Sequence, residues 1–281
     1  MEVGIKKQVA GWATKIRMAV IEGTMNAKSG HPGGSLSIAD VLAYLYFYEM
    51  KIDPSNPKMP ERDRFVLSKG HAAPGLYGAL ALRGFFPYEE IAKLRKTGAM
   101  LQGHPDMKGT PGVDMSSGSL GQGISAAAGM ALGLKLDGSA ARVFAMVGDG
   151  EIQEGQVWEA AMFAAAKKLD NLCVFVDNNK LQIDGPVAEV NSPYPIPEKF
   201  AAFGFEVIEI DGHDLDQIDA AVQKAKTVKG KPVAIVMDSV KGKGVSFMEN
   251  QVGWHGSAPN AEQAEQALAE LRATLAAIEE G

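Results

Sequence analysis

Val143–Val147 (VFAMV) and Leu172–Val176 (LCVFV) are apolar at every position, and a helix-patterned stretch, Gly155–Lys168, lies between them. A strand with no polar alternation has no face to give to water, so both must be covered on both sides. A connection that contains a helix joins parallel neighbours, whereas antiparallel neighbours need only a tight turn. These two strands therefore point to an α/β fold. The rest of the chain keeps the same rhythm. Val9–Met25 has helical spacing, and Ser37 with Asp40 resembles a capping box opening a helix over Ile38–Met50, which Asp53-Pro54 ends. Phe65–Leu67 reads as a short strand, followed by helices near Pro74–Leu82, Tyr88–Lys96 and Gly121–Leu136. Later come strand Phe205–Ile210, helix Leu215–Thr227 and strand Val233–Asp238. The expectation is a doubly wound, mostly parallel sheet with helices on both faces. Residues 1–257 form one domain in this scheme, and 258–281 a helical tail (Ala261–Ile278) with no chemistry of its own.

Bulk properties narrow the function. The net charge is −6, and no basic cluster is present to neutralise phosphates, which argues against a nucleic-acid surface. The apolar runs reach only about ten residues, too short for a bilayer. The N-terminus lacks the apolar core and cleavage site of a signal peptide. Cys173 is the single cysteine and sits mid-strand, so it reads as a core hydrophobe in a reducing, cytoplasmic chain. Two long segments rich in Gly, Pro and Ser, 97–123 and 178–200, interrupt the alternation. Loops of that length inside a compact domain usually carry function.

The chemistry gathers at the carboxyl ends of the two apolar strands, where open α/β sheets bind ligands. The first runs into Gly148-Asp149-Gly150, the second into Asp177-Asn178-Asn179. Glycine lets a turn bring its backbone close to an anion. Asp149 and Asn179 offer two hard oxygen ligands, which suits Mg²⁺ or Ca²⁺, and such an ion can hold a diphosphate. Four of the five histidines lie in glycine-containing loops: His31, His71, His104 and His255. Imidazoles there can bind hydroxyl or phosphate oxygens and move protons in a shared polar cleft. His213, in Asp-Gly-His-Asp, reads as turn chemistry, and no histidine or cysteine pair has zinc spacing. Gly118–Gly123 opens a helix and can set backbone N–H groups against an anion or ring, but it is no dinucleotide fingerprint. Glu154 and Glu159 flank Trp158 in an Ala-rich helix, which suggests partial burial and an interface or network role.

Taken in order, SGHPGG, ERDRFVLSKGHA, QGHP, SGSLGQG, GDGEIQEG, DNNKLQIDG and WHG resemble the diphosphate-binding, N-terminal portion of transketolase from about Trp12 to Gly256. The resemblance implies a thiamine diphosphate-binding fold and transfer of a two-carbon ketol unit from a ketose phosphate to an aldose phosphate. It implies that Asp149, Asn179 and the Leu181 carbonyl hold the metal, and that His71, Gly150 and His255 touch the diphosphate. Asn179 would thereby also belong to the cofactor site. Gly118 and Leu120 would lie beside the cofactor rings, and His31, His104 and His255 would face the sugar and relay protons. Glu154 would join a carboxylate network linking paired active sites, with Glu159 near it. Two departures stand out. Ser119 replaces a proline common in this motif, and the chain is far shorter than single-chain members. The missing part carries the pyrimidine-binding domain, its cofactor-activating glutamate and the residues that grip the sugar phosphate. The expectation is a cytoplasmic component of a split transketolase in the pentose phosphate pathway. It would be active as an α2β2 assembly with a C-terminal partner subunit, and would have no nucleic-acid or membrane partner. The alternatives are a 2-oxo acid dehydrogenase or decarboxylase α subunit, which has no need of the histidine loops, and a non-catalytic cofactor-binding paralogue.

Overall fold

The computed structural model describes residues 1–281. α1 (Val3–Ala27), α2 (Pro32–Leu36) and α3 (Ala39–Tyr44) come first, and α3 runs into a π-helical turn over Leu45–Glu49. β1 (Arg64–Leu67), α4 (Ala73–Arg83), α5 (Gln122–Leu136), β2 (Val143–Gly148), α6 (Gly155–Ala166) and β3 (Leu172–Asn178) follow. A small hairpin, β4 (Leu181–Gln182) and β5 (Gly185–Pro186), leads into α7 (Val187–Asn191) and α8 (Ile196–Ala202). β6 (Glu206–Asp211), α9 (Leu215–Thr227), β7 (Val233–Asp238) and α10 (Ala261–Glu280) complete the chain.

Five of these strands form one all-parallel sheet in the order β1-β2-β3-β7-β6. The uniformly apolar strands divide their side chains by alternation. Phe144, Met146, Cys173, Phe175 and Ile235 pack on one face against Ile16 of α1, Leu42 of α3, Leu76 of α4 and Ile218 of α9. Ala145, Val147, Val174, Val176 and Val236 pack on the other against Ile124 of α5, Val157 of α6 and Phe200 of α8. A third cluster seats α10, through Ala264, Ala267, Leu268 and Leu271, against Val20 and Ile21 of α1 and Val245 and Met248. Cys173 is fully buried and free, and burial pushes its thiol up to about 12, as befits a core residue. No helix is long and apolar enough to cross a membrane.

Two local expectations are corrected. Ser37 does not cap a helix: Ile38 is the N-cap, without a side-chain bond. The Ser37 hydroxyl instead donates to the Asp177 carboxylate at 2.7 Å, and Asp40 pairs with Arg17 and His213. A distant charge outcompetes the local backbone for each side chain. The Tyr88–Lys96 helix is a shorter 3₁₀ segment, Tyr88–Lys93, between Pro87 and Leu94.

α5 reaches the end of β1 because residue 123 is glycine. A Cβ there would lie 2.5 Å from Ser68 Cα, a backbone atom that cannot swing aside. Gly123→Ala is therefore expected to force α5 off the sheet and lose about 1–3 kcal/mol of stability, read as a lower urea midpoint. An unchanged midpoint would show that this approach is not tight.

Candidate active site

The GDG turn and the DNN segment meet because β2 and β3 pair in register, with Gly148 opposite Asp177. Beyond that pair opens a cleft of about 380 Å³ at the carboxyl ends of the strands. His31, His71, Gly118, Leu120, Asp149, Gly150, Glu154, Asn179, Leu181 and His255 all line it. His104 stands at its edge, packed on Gly118, where a Cβ would meet the imidazole at 3.2 Å. Residues scattered over more than two hundred positions thus share one site.

One side of the cleft offers oxygen. Asp149 is buried, and its carboxylate accepts N–H bonds from Gly150 at 2.8 Å and from Lys180. Burial, and then the neighbouring Asp177, push its pKa up to about 7. A divalent cation relieves that kind of crowding. The Asn179 amide donates to Asp177 at 2.8 Å, which leaves its oxygen for other partners, one being the Leu181 N–H at 3.2 Å. A carboxylate, an amide oxygen and the Leu181 carbonyl are the hard donors Mg²⁺ or Ca²⁺ prefers. Nowhere do three His, Cys, Asp or Glu side chains gather as a metal cage.

Three residues that sequence patterning did not single out hold this region together. Lys69 is buried and forms an ion pair with the fully buried Asp177. Ser37, Ser239 and Asn179 also bond to that carboxylate. Burial opposes charge on Asp177, but Lys69 and these donors hold its pKa below the usual carboxylate value. Lys241, also buried, donates to the Leu181 carbonyl and to His255 Nδ1, both at 2.8 Å. Burial and Lys69 bring its pKa down to about 8. Glu151 accepts from Ser68 Oγ at 2.6 Å, the Gly121 N–H at 2.9 Å and the Gly148 N–H at 3.0 Å, tying β1 to the start of α5 and the GDG turn. The available signal was position: each lies within a few residues of a glycine loop at a strand end. Glu151, not Glu154 or Glu159, is the buried acid of its segment. The latter two are exposed on this chain, and the half-buried Trp158 packs on Phe200 and Phe203.

The histidines form the other side. The rings of His31, His71 and His255 lie with centroids 5.2 to 5.5 Å apart. Burial holds His31 at about 4 and His255 at about 3, and lowers His71 and His104 as well. All are neutral imidazoles near pH 7, each with one donor and one acceptor nitrogen. An ammonium can only donate, so the Lys241 bond makes His255 Nδ1 an acceptor and puts the proton on Nε2. His31 Nδ1 is buried without a partner. His213 lies outside the cleft. It sits in the turn after β6, but it also accepts the Val240 N–H at 2.9 Å and donates to Asp40 at 2.7 Å.

A parallel sheet with a glycine turn, hard oxygens and buried lysines at its carboxyl edge defines a domain for an anionic cofactor. The transketolase thiamine diphosphate binding domain model matches residues 8–275. The chain is 51% identical over 259 residues to the 6-deoxy-6-sulfo-D-fructose transketolase subunit of Clostridium sp. (strain MSTE9), with 92% of this chain and 94% of that subunit covered. It is 39% identical over 265 residues to an apulose-4-phosphate transketolase subunit of Phocaeicola vulgatus, with 94% of each covered. The crystal structure of transketolase from Campylobacter jejuni superposes with a TM-score of 0.89 at 31% identity, covering 99% of this chain but 46% of that one. The chain belongs to the transketolase thiamine diphosphate-binding family. It is a transketolase subunit, the cofactor-binding component of an enzyme that transfers ketol groups. The family assignment sets aside the 2-oxo acid dehydrogenase alternative.

The buried imidazoles make stability depend on pH. Unfolded histidine titrates near 6.5, whereas folded His31 and His255 titrate at about 4 and about 3. Folded values below the unfolded one give stability that is complete above pH ~6.5 and lost as the pH falls toward 4 and 3. Asp149, held up at about 7, works in the opposite sense over the same range, so the imidazole contribution is read as a difference. As the pH is lowered from about 7 to about 5, the urea midpoint of His255→Gln is expected to fall less, or rise more, than that of the native chain. Identical pH dependence in the two proteins would contradict a neutral folded His255.

Proposed function

We propose that this chain holds the diphosphate and metal of thiamine diphosphate in a split transketolase and presents three histidines to the sugar. The carrying observation is the meeting of the Asp149, Asn179 and Leu181 oxygens with four neutral histidines at one cleft. Asp149, Asn179 and the Leu181 carbonyl would bind Mg²⁺ or Ca²⁺. His71, His255 and Gly150 would contact the diphosphate, with Lys69 and Lys241 offsetting its charge. Gly118 and Leu120 would flank the cofactor rings. When bound, the cofactor supplies the nucleophilic carbon and electron sink that let a ketol unit leave a ketose and join an aldose.

The protein's own contribution is to orient that cofactor, exclude water and move protons. His31, His104 and His255, neutral near pH 7, can hydrogen-bond sugar hydroxyls without carrying charge and can move protons. His255 is oriented by Lys241 so that its Nε2–H is the donor.

The remaining components lie on other chains in this scheme. A partner subunit with the pyrimidine-binding and C-terminal domains would complete the site, and two copies of each would form an α2β2 assembly in the cytoplasm. Exposed Glu154, at the rim of the cleft, would then meet the second copy and join the carboxylate network. The donor ketose carries a terminal anion. A sugar phosphate of the pentose phosphate pathway is one reading. The 51% identical relative, which acts on 6-deoxy-6-sulfo-D-fructose, supports a sulfonated ketose as the other.

The purified chain with thiamine diphosphate and Mg²⁺ is expected to show no ketol transfer until the partner subunit is added. Robust turnover by the chain alone would overturn the split site. In the assembled complex, Asp149→Ala is expected to abolish Mg²⁺-dependent cofactor binding measured by calorimetry; unchanged affinity would remove Asp149 from the metal site.

A further inference from the structure

His31 and His104 come from loops more than seventy residues apart, and nothing in either loop alone fixes their separation. One side chain touches both loops. Arg95 follows the 3₁₀ segment at Tyr88–Lys93, and its backbone takes the left-handed conformation, φ 61°, closing a turn with its N–H on the Leu101 carbonyl at 2.8 Å. The guanidinium donates from Nη1 to the Ser29 hydroxyl at 2.9 Å and from Nη2 to the Gly103 carbonyl at 3.4 Å. Ser29 lies two residues before His31, and Gly103 immediately precedes His104. A Cβ on residue 103 would sit 2.9 Å from Arg95 Cζ, so only glycine lets the guanidinium lie against that backbone. After burial, the Arg95 charge is the next cause lowering the pKa of both His31 and His104. The other side of the His104 loop is held by the Tyr77 hydroxyl, which donates to the His104 carbonyl at 2.9 Å.

We propose that Arg95 is a positioning residue that fixes the distance between His31 and His104, and with it the fit of a polyhydroxy ketose between them. This rests on the proposal that these two histidines face the sugar. Arginine suits the task because its planar fork carries separate donors that hold two acceptors at once. A lysine can reach only one of them at full strength. The left-handed backbone at residue 95 aims the fork between the loops, an unusual conformation retained where geometry matters.

The test uses the complex of this chain with its partner subunit, thiamine diphosphate and Mg²⁺. The donor is 6-deoxy-6-sulfo-D-fructose or D-fructose 6-phosphate, whichever is turned over. Arg95→Met is expected to raise the donor KM and lower kcat/KM on the order of a hundredfold, as for a reacting group misplaced by about 1 Å. The half-saturating cofactor concentration should stay unchanged, because Arg95 touches none of the cofactor-facing residues. Arg95→Lys should recover part of the loss. Ser29→Ala, which removes one tie and leaves the guanidinium in place, should give a smaller loss of the same kind. NMR titration of the full chain should show the His31 and His104 pKa values rising in Arg95→Met while His71 stays put. The proposal is overturned if donor kinetics are unchanged, or if cofactor affinity falls in step with them. It is overturned also if Arg95→Met does not fold and Ser29→Ala leaves the donor KM unchanged. His31→Ala and His104→Ala separate the two levels. If they leave kcat/KM unchanged, the sugar-facing reading itself fails. If they lower it and Arg95→Met does not, the positioning role alone fails.

Discussion

The ion pair between Lys69 and Asp177 is the interaction on which the site depends. Both partners are withdrawn from water, and such a pair survives only where further hydrogen bonds satisfy it. Here Ser37, Ser239 and Asn179 bond to Asp177, while Lys69 also donates to the Gly34 carbonyl at 2.9 Å. Those bonds draw together α2 with the residue that follows it, the end of β1, the end of β3 and the loop after β7. Each of those segments carries a residue of the cleft. The sheet supplies the direction of the strands, and this buried charge supplies their common end point.

Around that point charge is distributed unevenly. Asp149 stands beside Asp177 with too little positive charge nearby, which suits a divalent metal. Lys241, facing the histidines, has its charge held down by burial and by Lys69. The imidazoles are kept neutral by burial. In the proposed complex a diphosphate and its metal would give each group what it lacks, with cation beside the acids and anion beside the lysines. Binding free energy of this kind comes from a preorganised arrangement, not from rearrangement on arrival.

The sheet was legible in the sequence because wholly apolar strands leave no alternative to double coverage. α9 and β7 fall where spacing puts them, at Leu215–Thr227 and Val233–Asp238. The glycine-flanked histidines were legible as well, since glycine marks loops and imidazole marks chemistry there. What sequence spacing missed is the partner of each buried charge. Ser37 looks like a helix cap until Asp177 appears beside it, and Glu154 looks buried until Glu151 is found holding the GDG turn. Lys69 and Lys241 look like surface residues, because lysine is buried only when a specific acceptor pairs with it. Local pattern sets elements and loops, whereas the pairing of charges depends on contacts between positions far apart in the chain.

The close packing of His31, His71 and His255 limits how the site can store protons. Two positive charges about 5 Å apart repel by about 3 kcal/mol at an effective dielectric near 20. A second imidazolium in the cluster is thus disfavoured by far more than one pH unit once the first has formed. At most one of the three rings can carry a proton without that penalty, and near pH 7 none does. In the proposed proton relay, a proton deposited there by one half of a transfer cycle would have to leave before the other half deposited another. Such a cluster would impose an order on the chemistry through occupancy alone, without any moving part.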